Sequence, residues 1–165
     1  MFKDIVLKII PKKFHDTLFV RLFGIAKVPL IFFVRPSVIR LDDEQCIVKI
    51  PLIRRTRNHL NSMYFGVLAT GADLAGGLVA MKEITDSKQK VALSFKDFHA
   101  EFLKRAEGDV HFVCTQIPEL KKFVAEVIAS GERMNFPVNI VAIVPSVGLE
   151  PVAKFILTLS LKLKK

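Results

Sequence analysis

The sequence predicts an α+β domain in which one central helix lies against an antiparallel sheet. Three observations carry this. A single long helical stretch with a bulky apolar face runs from Ser62 to about Ile84. Segments of alternating polarity flank it, as half-buried strands require. Strands and helices do not alternate in the crossover pattern of a parallel sheet. The 165 residues suit one domain, and a hydrophobic fraction of 51% suffices for a substantial core.

The elements follow in chain order. Met1 to Lys27 reads as an amphipathic helical arm, broken at Pro11. Phe2, Ile5, Val6, Ile9 and Ile10 share one face, and Phe14, Leu18, Leu22 and Ile25 continue the helical period. Residues 28–165 form the main domain. Pro29 and Pro36 bound a short extended stretch. Ser37 to Leu41 and Cys46 to Leu52 flank the turn Asp42-Asp43-Glu44-Gln45 and read as a hairpin. Arg54 to Asn61 is a polar loop before the central helix. Val91 to Lys104 is a long strand whose apolar parity switches near Lys96-Asp97, the signature of a bulge. Gly108-Asp109 turns the chain so that Val110 to Thr115 pairs back on it. A helix then runs from Pro118, with a stripe of Leu120, Phe123, Val124, Val127 and Ile128, and Gly131 closes it. Arg133 to Val144 and Val152 to Leu163 are two long strands joined at Pro145 to Gly148.

Composition narrows the function classes. Cys46 and Cys114 are far apart in the chain without paired ligand spacing, so they read as buried free thiols suited to a reducing cytoplasm. No secretory leader is expected at Met1, and no apolar run reaches the roughly 18 residues that span a bilayer. The net charge of +9 favours an anionic partner: nucleic acid, acidic lipid or a phosphorylated cofactor. The cations are dispersed and no nucleic-acid motif is present, which sets nucleic acid aside.

The central helix carries the chemistry. Gly66, Ala69, Asp73, Gly76, Gly77 and Ala80 share one small face, opposite Leu68, Ala75, Leu78 and Val79. Ser62 is the expected N-cap. Gly71, Gly76 and Gly77 each weaken a helix interior by roughly 1 kcal/mol, which points to close approach of another backbone. Asp73 is the one acid between Glu44 and Glu83. Either a neighbouring Arg or Lys pairs it, or it has a chemical purpose.

The run Asn58-His59-Leu60-Asn61-Ser62-Met63-Tyr64-Phe65-Gly66, followed by Asp73, resembles the signature of hotdog-fold thioesterases of the phenylacetate-degradation type. In detail it is most similar to their thioesterase-like DUF4442 branch. Asn58 matches the signature asparagine, Gly66 its last glycine and Asp73 its acid. Asn61, Tyr64 and Phe65 depart from the first glycine, the histidine and the middle glycine. The resemblance extends from about Pro36 to Leu163. It implies a hotdog fold, a long helix wrapped by a curved antiparallel sheet, working as a homodimer or dimer of dimers. It also implies an acyl-coenzyme A substrate, with coenzyme A as part of the substrate and no resident cofactor. The N–H groups of Tyr64 to Gly66 at the helix start would hold the thioester oxygen. Asp73 would act as general base or nucleophile, and Asn58 would orient water or thioester. The acid and the asparagine would come from different subunits.

Other residues near the signature have plainer alternatives. His59 and Ser62 either line the substrate or belong to the loop, and Tyr64 is either a core residue or a hydroxyl at the site. His99 and His111 would face each other across paired strands, but two histidines do not make a metal site. Lys88, Lys90, Lys104 and Arg105 either meet cofactor phosphates or form a solvated rim. Three readings compete: an acyl-CoA thioesterase, a non-catalytic acyl-thioester or fatty-acyl binding module, and a peripheral membrane protein using the basic arm.

Overall fold

The structure, a computed structural model, describes residue 11 and residues 14–164. Met1 to Ile10, the first half of the expected arm, lies outside the described residues. Four helices and six strands follow: α1 (His15–Lys27), α2 (Pro29–Phe33), β1 (Ser37–Leu41), β2 (Cys46–Ile50), α3 (Phe65–Ser87), β3 (Val91–Phe102), β4 (Val110–Cys114), α4 (Ile117–Ser130), β5 (Met134–Val144) and β6 (Gly148–Leu163). The strands form one antiparallel sheet in the order β1-β2-β4-β5-β6-β3.

The expected α+β class holds, with differences of local cause. The residues after Pro29 are helical, where an extended stretch was expected. Proline at the first helical position has a φ that suits a helix as well as an extended chain. Gly24 makes the α1–α2 corner possible, because a Cβ there would lie 2.7 Å from the Phe32 nitrogen. The arm is sewn to the sheet: Thr17 Oγ1 accepts the Val38 N–H at 2.9 Å, and Val20 is buried in the core.

The β1–β2 hairpin forms as expected. Asp42 Oδ1 accepts the N–H groups of Glu44 and Gln45, and these bonds with Arg40 hold its carboxyl down at about 2. The bulge in β3 falls between Phe95 and Phe98, where the parity switches. The expected β3–β4 pairing does not occur. β4 sits between β2 and β5, while β3 pairs with β6 at the far edge. His99 and His111 therefore do not face each other. Local alternation marks a strand but says nothing about which strand it meets. Likewise Cys46 and Cys114, distant in sequence, are register partners on β2 and β4, both buried and free. Burial first, then the neighbouring thiol, pushes the Cys46 thiol up.

The core lies between the sheet and the helices α3 and α4. Phe155, Leu157, Leu159 and Leu161 form the dry face of β6, with Val138, Ile140 and Ala142 beside them on β5. The α4 stripe of Leu120, Phe123, Val124 and Val127 is buried, and Gly131 ends that helix at φ 71°. In α3 every residue from Leu74 to Ala80 is buried, so the division into a bulky and a small face fails over the middle of the helix. A helix apolar on all sides is one enclosed on all sides. By length and composition α3 also passes for a membrane span, but 67% of its apolar window is buried by the protein itself.

Candidate active site

The site is built on the start of α3 and the loop before it. Tyr64, not Ser62, is the N-cap, with extended backbone at ψ 137°. Ser62 is instead buried against Asn58. The Asn58 side chain accepts the N–H groups of Leu60 at 2.9 Å and Ser62 at 3.2 Å, and its Nδ2 donates to Ser62 Oγ at 3.1 Å. These bonds fold the loop on itself and commit Asn58 to it. Asn61, where the signature has a glycine, sits at φ 60°. Asparagine is among the few residues that tolerate this left-handed conformation, so the replacement keeps the turn. His59 lies exposed in the same loop.

A residue that sequence reasoning passed over anchors this loop. Thr56 is fully buried, its Oγ1 donates to the Pro51 carbonyl at 2.6 Å, and its own carbonyl accepts the Tyr64 N–H at 2.9 Å. Met63 N–H donates to the Ala106 carbonyl at 2.9 Å. So Tyr64, expected to offer a free N–H, has already spent it. The N–H groups of Phe65 and Gly66 have no acceptor among the described residues. They stand at the positive end of a 23-residue helix, a place suited to a developing oxyanion.

From there one open track runs along α3. Phe65 is exposed, and Gly66, Ala69 and Asp73 are each half-buried, while the residues between them, Leu68 and Ala72 included, are buried. Asp73 has no hydrogen bond or ion pair among the described residues, which removes the plainer expectation of a paired carboxylate. Burial alone raises its pKa. Asp73 lies seven positions after Gly66, roughly 10 Å along the helix axis. A carbonyl held at the helix start lies that far along the axis from the Asp73 backbone of the same chain.

The aromatic surroundings were not legible as a cluster. Tyr64 and Phe65 rings lie 4.7 Å apart, Phe65 reaches Phe102 of β3 at 6.5 Å, and Phe102 meets Phe155 at 6.0 Å. Phe65 is 59% exposed and Phe102 51%. β3 is an edge strand, with β6 on one side and no described strand on the other. Two hollows elsewhere, about 210 Å³ beside His99 and Asn139 and about 490 Å³ beside Lys49 and Asp109, include neither Asp73 nor Phe65. No group of three metal-ligating side chains occurs among the described residues.

A long helix laid on an open six-stranded antiparallel sheet defines a hotdog fold. A family model for a domain of unknown function, DUF4442, matches residues 16–148, and the chain belongs to that family. The fold is similar to that of a candidate thioesterase from Shewanella oneidensis, at 13% identity and TM-score 0.73, covering 90% of this chain and 98% of that one. A protein of unknown function from Chlorobaculum tepidum is similar at 13% identity and TM-score 0.77, covering 90% and 94%. A thioesterase from Haemophilus influenzae is similar at 12% identity and TM-score 0.62, covering 86% and 88%. No curated protein matches the chain in sequence.

Proposed function

We propose that this chain hydrolyses the thioester of an acyl-coenzyme A, at a site that two copies complete. The observation that carries the reading is Asp73: a half-buried carboxylate without a partner, on the open track leading from the two free N–H groups of Phe65 and Gly66. The thioester oxygen would accept those N–H groups from one chain. Asp73 of the second chain would take a proton from water as the water oxygen adds to the carbonyl carbon. The oxyanion then collapses, the C–S bond breaks, and the coenzyme A thiolate leaves and is protonated. In the nucleophilic variant Asp73 itself adds to the carbonyl and water opens the anhydride. Asn58 acts by fixing the loop that sets the helix start, and Tyr64 and Phe65 bound the acyl group. The charge of +9 suits a substrate with phosphates, and the two free buried thiols suit a cytoplasmic setting.

A thiol-release assay across short, long and aromatic acyl-CoAs tests this. Turnover of at least one class, lost with Asp73→Asn, is the expected result. The second reading, a non-catalytic acyl-thioester binding module, is favoured by Phe65, whose side chain stands where the signature has a glycine. It predicts saturable binding of an acyl-CoA with no thiol released by the wild-type chain.

A further inference from the structure

The α1–α2 corner presents an apolar tip that the other described residues leave exposed. Every residue from Ile25 to Leu30 is exposed, Ile25 by 56% and Leu30 by 55%. Leu22, Phe32 and Phe33 are exposed beside them. A patch of this size on one corner marks an interaction surface more often than chance exposure.

Part of its backbone is bonded within the corner. The Val28 N–H donates to the Gly24 carbonyl at 3.1 Å and the Ile31 N–H to the Val28 carbonyl at 2.9 Å, while Pro29 has no N–H to satisfy. The charge around the tip has one sign. Between Asp16 and Asp42 the chain has no acid but contains Arg21, Lys27, Arg35 and Arg40. Arg21 is bonded to Pro36 and Ser37, and Arg40 is paired with Asp42 and Glu44. That leaves Lys27 and Arg35 without a carboxylate among the described residues. Arg55 lies 5.1 Å from the Phe33 ring centroid and donates to the Phe33 carbonyl at 3.3 Å, tying its loop to the tip.

We infer that this corner docks on an anionic lipid bilayer, with Ile25, Val28, Leu30 and Phe32 entering the headgroup–acyl boundary and the cations meeting the lipid phosphates. A second copy is a poorer occupant, because a two-fold contact through this patch would set Lys27 and Arg35 against their own copies. The inference places the membrane contact on the α1–α2 corner, where the sequence alone put it on the arm as a whole. It does not rest on the thioesterase reading.

The test is co-sedimentation of the full chain with sucrose-loaded vesicles of phosphatidylcholine, with and without phosphatidylglycerol, at low and high salt. Binding should require phosphatidylglycerol and weaken with salt. Lys27→Ala with Arg35→Ala should lower partitioning roughly 25-fold, at about fivefold per cation near an anionic surface. Leu30→Glu with Phe32→Glu should lower it at least as much, with an unchanged melting temperature because both side chains are exposed. No sedimentation of the wild type, or binding indifferent to both double variants, overturns the inference. So does a Leu30→Glu, Phe32→Glu chain that loses oligomeric mass by light scattering while still binding vesicles, since the patch is then a contact between protein chains.

Discussion

Asp73 is half-buried with no counter-ion among the described residues, so ionising it costs folding free energy. Its folded pKa lies above the ordinary carboxylate value of 3.8, so the folded chain holds this proton where the unfolded chain has released it. Stability at this position is therefore present below the unfolded pKa and is lost as pH rises toward the folded one. Asp73→Asn removes that cost. The expected pair of results is a drop in thioester turnover of about 10²–10⁴-fold, as for a lost general base, with an unchanged or higher melting temperature at neutral pH. The stability difference from wild type should shrink as the pH falls toward 3.8 and wild-type Asp73 takes up its proton. A variant that melts lower at neutral pH would mean that Asp73 has a structural partner. Asn58→Ala should behave differently. It strips the acceptor from the Leu60 and Ser62 amides, so it should lower stability by about 1–2 kcal/mol in a thermal melt, along with any loss of activity. Asp73 stands out in the sequence because no other acid lies between Glu44 and Glu83. The hydrogen bonds of Asn58 were not legible there, since its partners are its own loop neighbours and a motif does not show where an amide points.

The helix α3 was legible as an element, but the reason for its glycines was not. Sequence reasoning expected a backbone against all three in the helix interior, and the structure separates them. A Cβ on Gly71 would lie 2.2 Å from the ring of Phe112, which is fully buried between β2 and β5 and has no room to yield. A Cβ on Gly76 would meet Val138 at 3.6 Å and Ile140 at 3.7 Å, ordinary contact distances. Gly71→Ala should thus destabilise the fold by about 3 kcal/mol, the upper end of what overpacking costs. Gly76→Ala should stabilise it by about 0.5–1 kcal/mol, because it only restores helix propensity. Denaturant midpoints at unchanged slope measure both, and equal effects of the same sign would contradict the packing described here. The same limit explains the strands. Their existence and the bulge after Phe95 follow from local alternation, whereas the placement of β4 beside β2 depends on contacts between residues as distant as Cys46 and Cys114.

At the scale of the molecule the two sheet edges differ. Thr17 of α1 occupies the β1 edge through Val38, whereas the 12-residue β3 edge is open among the described residues and carries Phe98 and Phe102, 43% and 51% exposed. A long open edge of this kind invites a second strand, and a second copy paired there would extend the sheet across two chains. Phe98→Lys with Phe102→Lys should dissociate such a dimer. Burying the exposed half of two rings on each chain contributes about 4 kcal/mol, so Kd should rise by roughly three orders of magnitude, visible by light scattering. The roughly 10 Å between Gly66 and Asp73 on one helix makes a sharper test of whether the dimer is also the catalytic unit. Phe65 is the first residue of α3, and Tyr64 before it is already extended at ψ 137°, the conformation that a following proline requires. Phe65→Pro therefore fits the fold while deleting one of the two free N–H groups, and turnover should fall by about 10²-fold or more. Asp73→Asn homodimers and Phe65→Pro homodimers should each be nearly inactive. When they are mixed and allowed to exchange subunits, half of the dimers pair the two variants. In each of these, one site joins the intact helix start of the first chain to the intact Asp73 of the second. Turnover should then recover to about a quarter of the wild-type value, as random pairing of two subunits gives. If both groups acted within one chain, mixing would restore nothing, because no chain in the mixture has both. Failure to recover activity in demonstrably exchanged dimers would therefore remove the two-chain site while leaving the dimer itself standing.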